Sequence, residues 1–181
     1  MRTSADAGPQ PYARLAGFFY LLTIIGGLGA LASTSARWAG NLLGGLAYIA
    51  VTVLLYHLLR PVHRGISLVA ACFSLIGITL GLLRLFQVIH GFPVNDLVFF
   101  GVYCLLLGYL VFRSGFLPRM VGVLLTIAGL GWLTYLSPPF AHAIAPWNMI
   151  PGIVGEGALT LWLLVFGVNV AKWRARAGPE R

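Results

Sequence analysis

Few residues in this chain could do chemistry, and most of those that could lie inside apolar runs. Glu156 is a carboxylate in the stretch IPGIVGEGALTLWLLVFGVNV (150–170), and Arg84 is the one arginine embedded in another such stretch. An ionisable group at membrane depth is costly and marks either a pairing or a function. Counted from the ends of their runs at 1.5 Å per residue, both groups lie roughly 8–9 Å below the same boundary. The sequence therefore predicts that Arg84 and Glu156 meet, directly or through water, with Gln87 and Asn41 as neighbours. Gly152, Glu156 and Thr160 share one helix face, and Gly77, Gly81, Arg84 and Val88 share another.

The remaining candidates have plainer readings. Asp96 falls in the first turn of a run, where the helix dipole stabilises a carboxylate, and either Asn95 or Asp96 can cap that helix. Such a group could also carry a proton. Of the four histidines, His57 and His63 fall near one end of the spans and His90 and His142 near the other, so no two are placed to ligate a haem within the bundle. Cys72 and Cys104 have neither metal-ligand nor redox spacing and read as small core residues. No metalloprotease, phosphate-loop, nucleophile-elbow or dinucleotide motif occurs. These residues imply no catalytic set, no metal site and no cofactor. They leave a polar cluster of Arg84, Glu156, Gln87, Asn41, Asp96 and Thr160 as the candidate ligand pocket.

The elements that must position these groups are membrane helices. Of 181 residues, 59% are hydrophobic and 9% charged, against about 25% charged in soluble domains. The apolar residues run unbroken over 12–33, 38–59, 65–89, 95–112, 118–136 and 150–171, each about 18 to 25 residues, long enough to cross a hydrocarbon core. The expected fold is an all-α membrane protein, a six-transmembrane-helix bundle. Residues 1–11 read as a disordered tail, 12–173 as one transmembrane domain and 174–181 as a basic tail. The first run exceeds the apolar core of a signal peptide and reads as a retained helix.

The net charge of +8 points to topology rather than to nucleic acid. Arg2 and Arg14, then Arg60, His63 and Arg64, then Arg113 and Arg119, then Lys172, Arg174 and Arg176 occupy alternate loops and the ends, whereas the other loops hold Arg37 alone. By the positive-inside rule both termini are cytoplasmic. Arg174 and Arg176 beside Trp173 read as an interfacial anchor. Gly40 with Gly44, and Gly77 with Gly81, have the small-xxx-small spacing that lets membrane helices approach closely. The segment 137–149, with three prolines and Trp147, is expected to lie along the outer interface.

Three segments, LLYHLLRPVHRG (54–65), FFGVYCLLLGYLVFRSGFLPRMVGVLL (99–125) and PGIVGEGALTLWLL (151–164), resemble the bacterial integral-membrane family known only as domain of unknown function 4386. The resemblance covers roughly residues 13–170. It implies the fold and a bacterial cytoplasmic membrane, and no activity. Two features depart from the family: the tight turn at 33–37 stands where members carry a longer segment, and Phe73–Ser74 stands where members often carry arginine after the phenylalanine.

The functional expectation is a polytopic membrane protein without enzymatic activity, its polar groups concentrated in the outer half. A small-molecule or ion binding or transport protein is the alternative, and a membrane enzyme acting on a lipid-like substrate the next. Membrane lipid is the expected partner. A small-molecule ligand, a membrane-protein partner and an oligomer stay open.

Overall fold

The computed structural model describes residues 8–30, 34–90 and 93–178. The part of the expected N-terminal tail at 1–7, the turn residues 31–33 and the last residues of the expected basic tail, 179–181, lie outside the described residues. The described chain is helical: α1 (Pro9–Gly29), α2 (Thr34–Leu59), α3 (Arg64–Leu85), α4 (Asp96–Ser114), α5 (Arg119–Leu133), a short α6 (Pro138–Ala143), α7 (Ile150–Val165) and α8 (Val170–Ala177). Six helical segments, those of α1 to α5 and α7, are long and apolar enough to cross a membrane.

Side-chain chemistry sets the helix ends. His63 caps α3 by accepting from the Ile66 N–H at 3.1 Å. Asn95, rather than Asp96, caps α4, accepting from the Leu97 N–H at 2.9 Å. Gly115 ends α4 with φ 73°, in the left-handed region that favours glycine. Two expected spans are shorter than their hydropathy. The third run stops being helical at Leu85, because the chain turns through Gln87 at φ 56° although the residues beyond are apolar. The sixth run breaks after Val165, where Gly167 takes φ 68° and Asn169 starts a separate helix, accepting from the Lys172 N–H. Residues 9–11 belong to α1, and α8 runs through 170–177, so helix replaces tail at both margins.

The helices form a closed ring in chain order: α1 packs on α2, α2 on α3, α3 on α4, α4 on α5, α5 on α7, and α7 returns to α1. Glycines set the closest crossings. A Cβ added to Gly26 would lie 2.6 Å from the Gly40 carbonyl oxygen, and one on Gly108 would lie 2.7 Å from that of Gly122. Such approaches exclude any side chain and bring backbones into van der Waals contact. Gly44 lies over Thr23 of α1, and Gly77 and Gly81 face α4.

The two ends of the bundle differ. At one end, α8 lies across the loops: the Trp173 indole N–H donates to the Leu58 carbonyl at 2.8 Å and Arg176 donates to the Arg113 carbonyl at 2.9 Å. Gln10 of α1 receives a bond from the Val168 N–H and donates to the Phe166 carbonyl. Both described ends of the chain and most of the basic residues thus gather at the same end. Its interior is filled by Leu55, Leu58, Leu59, Leu107, Leu110 and Leu163, each no more than 1% exposed. Towards the opposite end a hollow opens among α1 to α4.

Candidate functional site

The hollow is a cavity of about 440 Å³ walled by α1 to α4. Glycines occupy much of its wall: Gly44 and Gly45 on α2, Gly77 and Gly81 on α3. Tyr48 and Phe100 supply aromatic surface, their rings 5.1 Å apart and edge to face. Arg84 and Asp96 supply charge, and Asn41 and Thr23 supply neutral polar groups.

Arg84 and Asp96 form an ion pair across the α3–α4 turn, and the same guanidinium donates to the Val94 carbonyl at 2.7 Å. Their side chains are 31% and 24% exposed, so the pair is reachable from the cavity mouth without being free in solvent. The geometry follows from the helix ends. Because α3 ends at Leu85, Arg84 lies in its last turn, and because Asn95 takes the cap, the Asp96 carboxylate is left to meet it. Gly81, one turn before Arg84, makes room: a Cβ there would come within 3.3 Å of Asp96 Oδ2.

The expected pairing of Arg84 with Glu156 is therefore corrected. Arg84 takes Asp96 as its carboxylate, and Glu156 is held by hydrogen bonds from elsewhere. The Trp132 indole N–H of α5 donates to Glu156 Oε1 at 2.8 Å, and the Cys104 thiol of α4 approaches the same oxygen at 3.8 Å. The Tyr20 hydroxyl of α1 stands next to the carboxylate. Gly152, one turn earlier on α7, is seated against the Trp132 ring, where a Cβ would fall 2.5 Å from Cε2. The stripe Gly152, Glu156, Thr160 thus faces the bundle, with Gly152 admitting the indole that Glu156 binds. Thr160 is buried and returns its hydroxyl to the Glu156 carbonyl at 2.8 Å, so it closes on its own helix.

Arg84, Asp96 and Asn41 come together in the cavity wall, with Gly44, Gly77 and Gly81. Glu156 and Thr160 lie apart from it, and Gln87 is exposed beyond the end of α3. Gly40 is spent on the crossing with α1. Among the described residues no three His, Cys, Asp or Glu side chains are grouped to hold a metal ion. His63 serves as a cap, and His57, His90 and His142 are exposed.

Sequence reasoning missed the aromatic members. Tyr20, Tyr48 and Tyr103 are 0%, 5% and 2% exposed, and each sits inside a span. A buried phenol seeks a hydrogen-bond partner, so three of them in mid-span were the available signal. Tyr20 and Tyr48 bond to one another, oxygen to oxygen, at 3.0 Å.

Comparison with known proteins gives a family for this arrangement. The model of the family described as Domain of unknown function (DUF4386) matches residues 32–96 and 79–167. The chain belongs to this family. Among its relatives is an uncharacterized protein of the archaeon Archaeoglobus fulgidus, 32% identical over 129 residues, covering 68% of this chain and 79% of the relative. No solved structure matches the chain. Within this DUF4386 chain, the second matched segment contains both halves of the Arg84–Asp96 pair and all of α7 up to its break.

Proposed function

We propose that this DUF4386 protein binds a small zwitterionic or amphipathic molecule in the cavity at the hollow end of the ring, and that its role is binding or transport rather than catalysis. The observation that carries this reading is the cavity with an ion pair in its wall. Its volume lies in the range of small-molecule sites, roughly 300–1,000 Å³. Arg84 can receive a carboxylate or phosphate and Asp96 an ammonium group, so a zwitterion can replace each partner of the pair with a charge of the same sign. Tyr48, Phe100, Leu82 and Leu85 offer apolar surface to the rest of the molecule. No nucleophile with an adjacent base lies among these residues, which favours binding over chemistry.

We place both termini in the cytoplasm, with the basic end of the bundle inside and the cavity facing outward, as the positive-inside rule requires. The leucine plug at the basic end gives the cavity no continuation in this conformation. That suits a receptor-like binding protein or the outward-facing state of a carrier, embedded in a cytoplasmic membrane with lipid around it.

The test is thermal stabilisation of the purified protein by a panel of amino acids, betaine-type zwitterions and phosphocholine, with native mass spectrometry of the membrane-extracted protein for a retained small molecule. Stabilisation or retention in the wild type, lost in Arg84→Gln and in Asp96→Asn, is the expected result. No stabilisation across the panel and no retained molecule would refute the reading.

A further inference from the structure

Beneath the cavity lies a set of groups that ligand binding leaves unexplained. Glu156 on α7 takes a hydrogen bond from Trp132 of α5 and a weak one from Cys104 of α4, with Tyr20 of α1 beside it, and no cation lies within ion-pair distance of it among the described residues. The groups facing it are Tyr20 from α1, Cys104 from α4 and Trp132 from α5. Behind Tyr20 stands Tyr48 of α2, and the ring of Tyr103 of α4 lies 6.1 Å from that of Tyr48. Tyr48 has two neighbours that matter: its hydroxyl is bonded to Tyr20, and its side chain forms part of the cavity wall. The Tyr103 hydroxyl, buried in the same region, has no protein partner.

We infer that Glu156 is a proton-binding site, reached from the outer cavity through the hydroxyls of Tyr48 and Tyr20. A carboxylate held by neutral donors, with no countercharge, can gain or lose a proton without breaking an ion pair. Two links of the route are in place, since Tyr48 lines the cavity and its hydroxyl is bonded to that of Tyr20 at 3.0 Å; the third closes when the Tyr20 hydroxyl, next to Glu156, turns its hydrogen onto the carboxylate. The cavity has room for several waters at about 30 Å³ each. A hydronium in it gives a proton to the Tyr48 oxygen, Tyr48 passes its own hydrogen to the Tyr20 oxygen, and Tyr20 passes its hydrogen to a Glu156 oxygen. Three O–H bonds form and three break, both phenols are regenerated, and the net change is water left in the cavity and a neutral acid at Glu156. Reversal requires the two hydroxyls to rotate back. Trp132 keeps its bond to the carboxyl in both states, and Cys104, at 3.8 Å, is a weaker donor that is not on the route. The inference holds whatever molecule the cavity receives.

The experiment is infrared spectroscopy of the protein reconstituted in lipid, with Glu156→Gln as the subtraction that identifies the Glu156 bands. Wild type should show a Glu156 carboxyl that interconverts reversibly between acid and carboxylate with pH and exchanges promptly when the medium is changed to D₂O. Tyr48→Phe and Tyr20→Phe remove one link each and should slow that exchange by on the order of 100-fold, while Tyr103→Phe, off the route, should leave it unchanged. Should a link variant fail to fold, Asn41→Phe at the cavity mouth should slow the exchange by hindering entry. A Glu156 that stays ionised at every pH, or exchange that is equally fast in wild type, Tyr48→Phe, Tyr20→Phe and Asn41→Phe, overturns the inference.

Discussion

The correction at Arg84 can be tested by a pair of double-mutant cycles. Arg84→Gln, Asp96→Asn and the double variant form one cycle; Arg84→Gln, Glu156→Gln and their double form the other. The Arg84 and Asp96 side chains are 31% and 24% exposed, which places the pair between two regimes. A fully exposed pair contributes about 0.2–1 kcal/mol, and breaking a fully buried one costs about 3–5 kcal/mol. A coupling energy of about 1–2 kcal/mol is expected for 84 with 96. Two side effects cancel within the cycle. Arg84→Gln loses the bond to the Val94 carbonyl in the single and the double variant alike. Asp96→Asn loses its helix-dipole term, about 0.3–1 kcal/mol, in both as well. For 84 with 156 the two groups share no partner among the described residues, so coupling should stay within about 0.5 kcal/mol. The assay is reversible unfolding in mixed micelles, followed by tryptophan fluorescence, at low and high salt; the first coupling should shrink with salt because the pair is partly exposed. Near-zero coupling for 84 with 96, or the larger value for 84 with 156, would show that the carboxylate partner is wrongly assigned.

At the α4–α5 crossing, Gly108→Ala would place Cβ 2.5 Å from Thr126 Oγ1 and 2.7 Å from the Gly122 carbonyl; overpacking of about 1–3 kcal/mol should outweigh the helix-propensity gain of about 1 kcal/mol and lower the melting temperature. Gly27→Ala, with open space around it, should be neutral or slightly stabilising, and equal melting of the two variants would remove the tight crossing from the fold. For topology, single cysteines at His90 and Arg119, in a background lacking Cys72 and Cys104, should react with an impermeant thiol reagent from opposite faces of the membrane, His90→Cys from outside. Labelling from one face would refute the orientation.

The six spans were legible because hydropathy over about 20 residues reports directly on membrane-crossing length. Their ends were less legible, and that is where the partner of Arg84 was misassigned. Phe86, Val88 and Ile89 extend the apolar run of α3, yet the backbone turns at Gln87, which hydropathy does not register. A shift of four residues at that end moves Arg84 from inside a span to its last turn, within reach of Asp96. The sequence reads Asp96 as a helix-end carboxylate and a pocket candidate but gives it no partner, and the same position in the first turn of α4 is what brings it to Arg84. The break at Gly167 was equally hidden in an apolar context, although Asn169 is an ordinary capping residue. At Glu156 the partners are tryptophan and cysteine, with a tyrosine beside them, residues that composition counts as hydrophobic. Their hydroxyl, indole and thiol hydrogens become visible only once the helices are assembled.

The same small residues that close the ring also explain why one end of it is empty. At the basic end the helices meet through leucines that meet in the middle. Towards the other end Gly44 and Gly45 of α2 and Gly77 and Gly81 of α3 line the cavity, and glycine brings backbones together without filling the space beside them. A bundle selected for packing alone would place larger aliphatic side chains there, because a void forfeits dispersion contacts on every side. The glycines instead leave room beside an ion pair, and further along the bundle lies a carboxylate held by groups from α4 and α5. The arrangement gives up packing where the polar groups are found, as the proposed binding role asks of the hollow, while the leucine plug serves stability. Filling it tests that division: Gly45→Leu, whose Cβ would meet only the end of the flexible Leu82 side chain at 3.1 Å, should leave the fold intact while abolishing ligand-induced stabilisation.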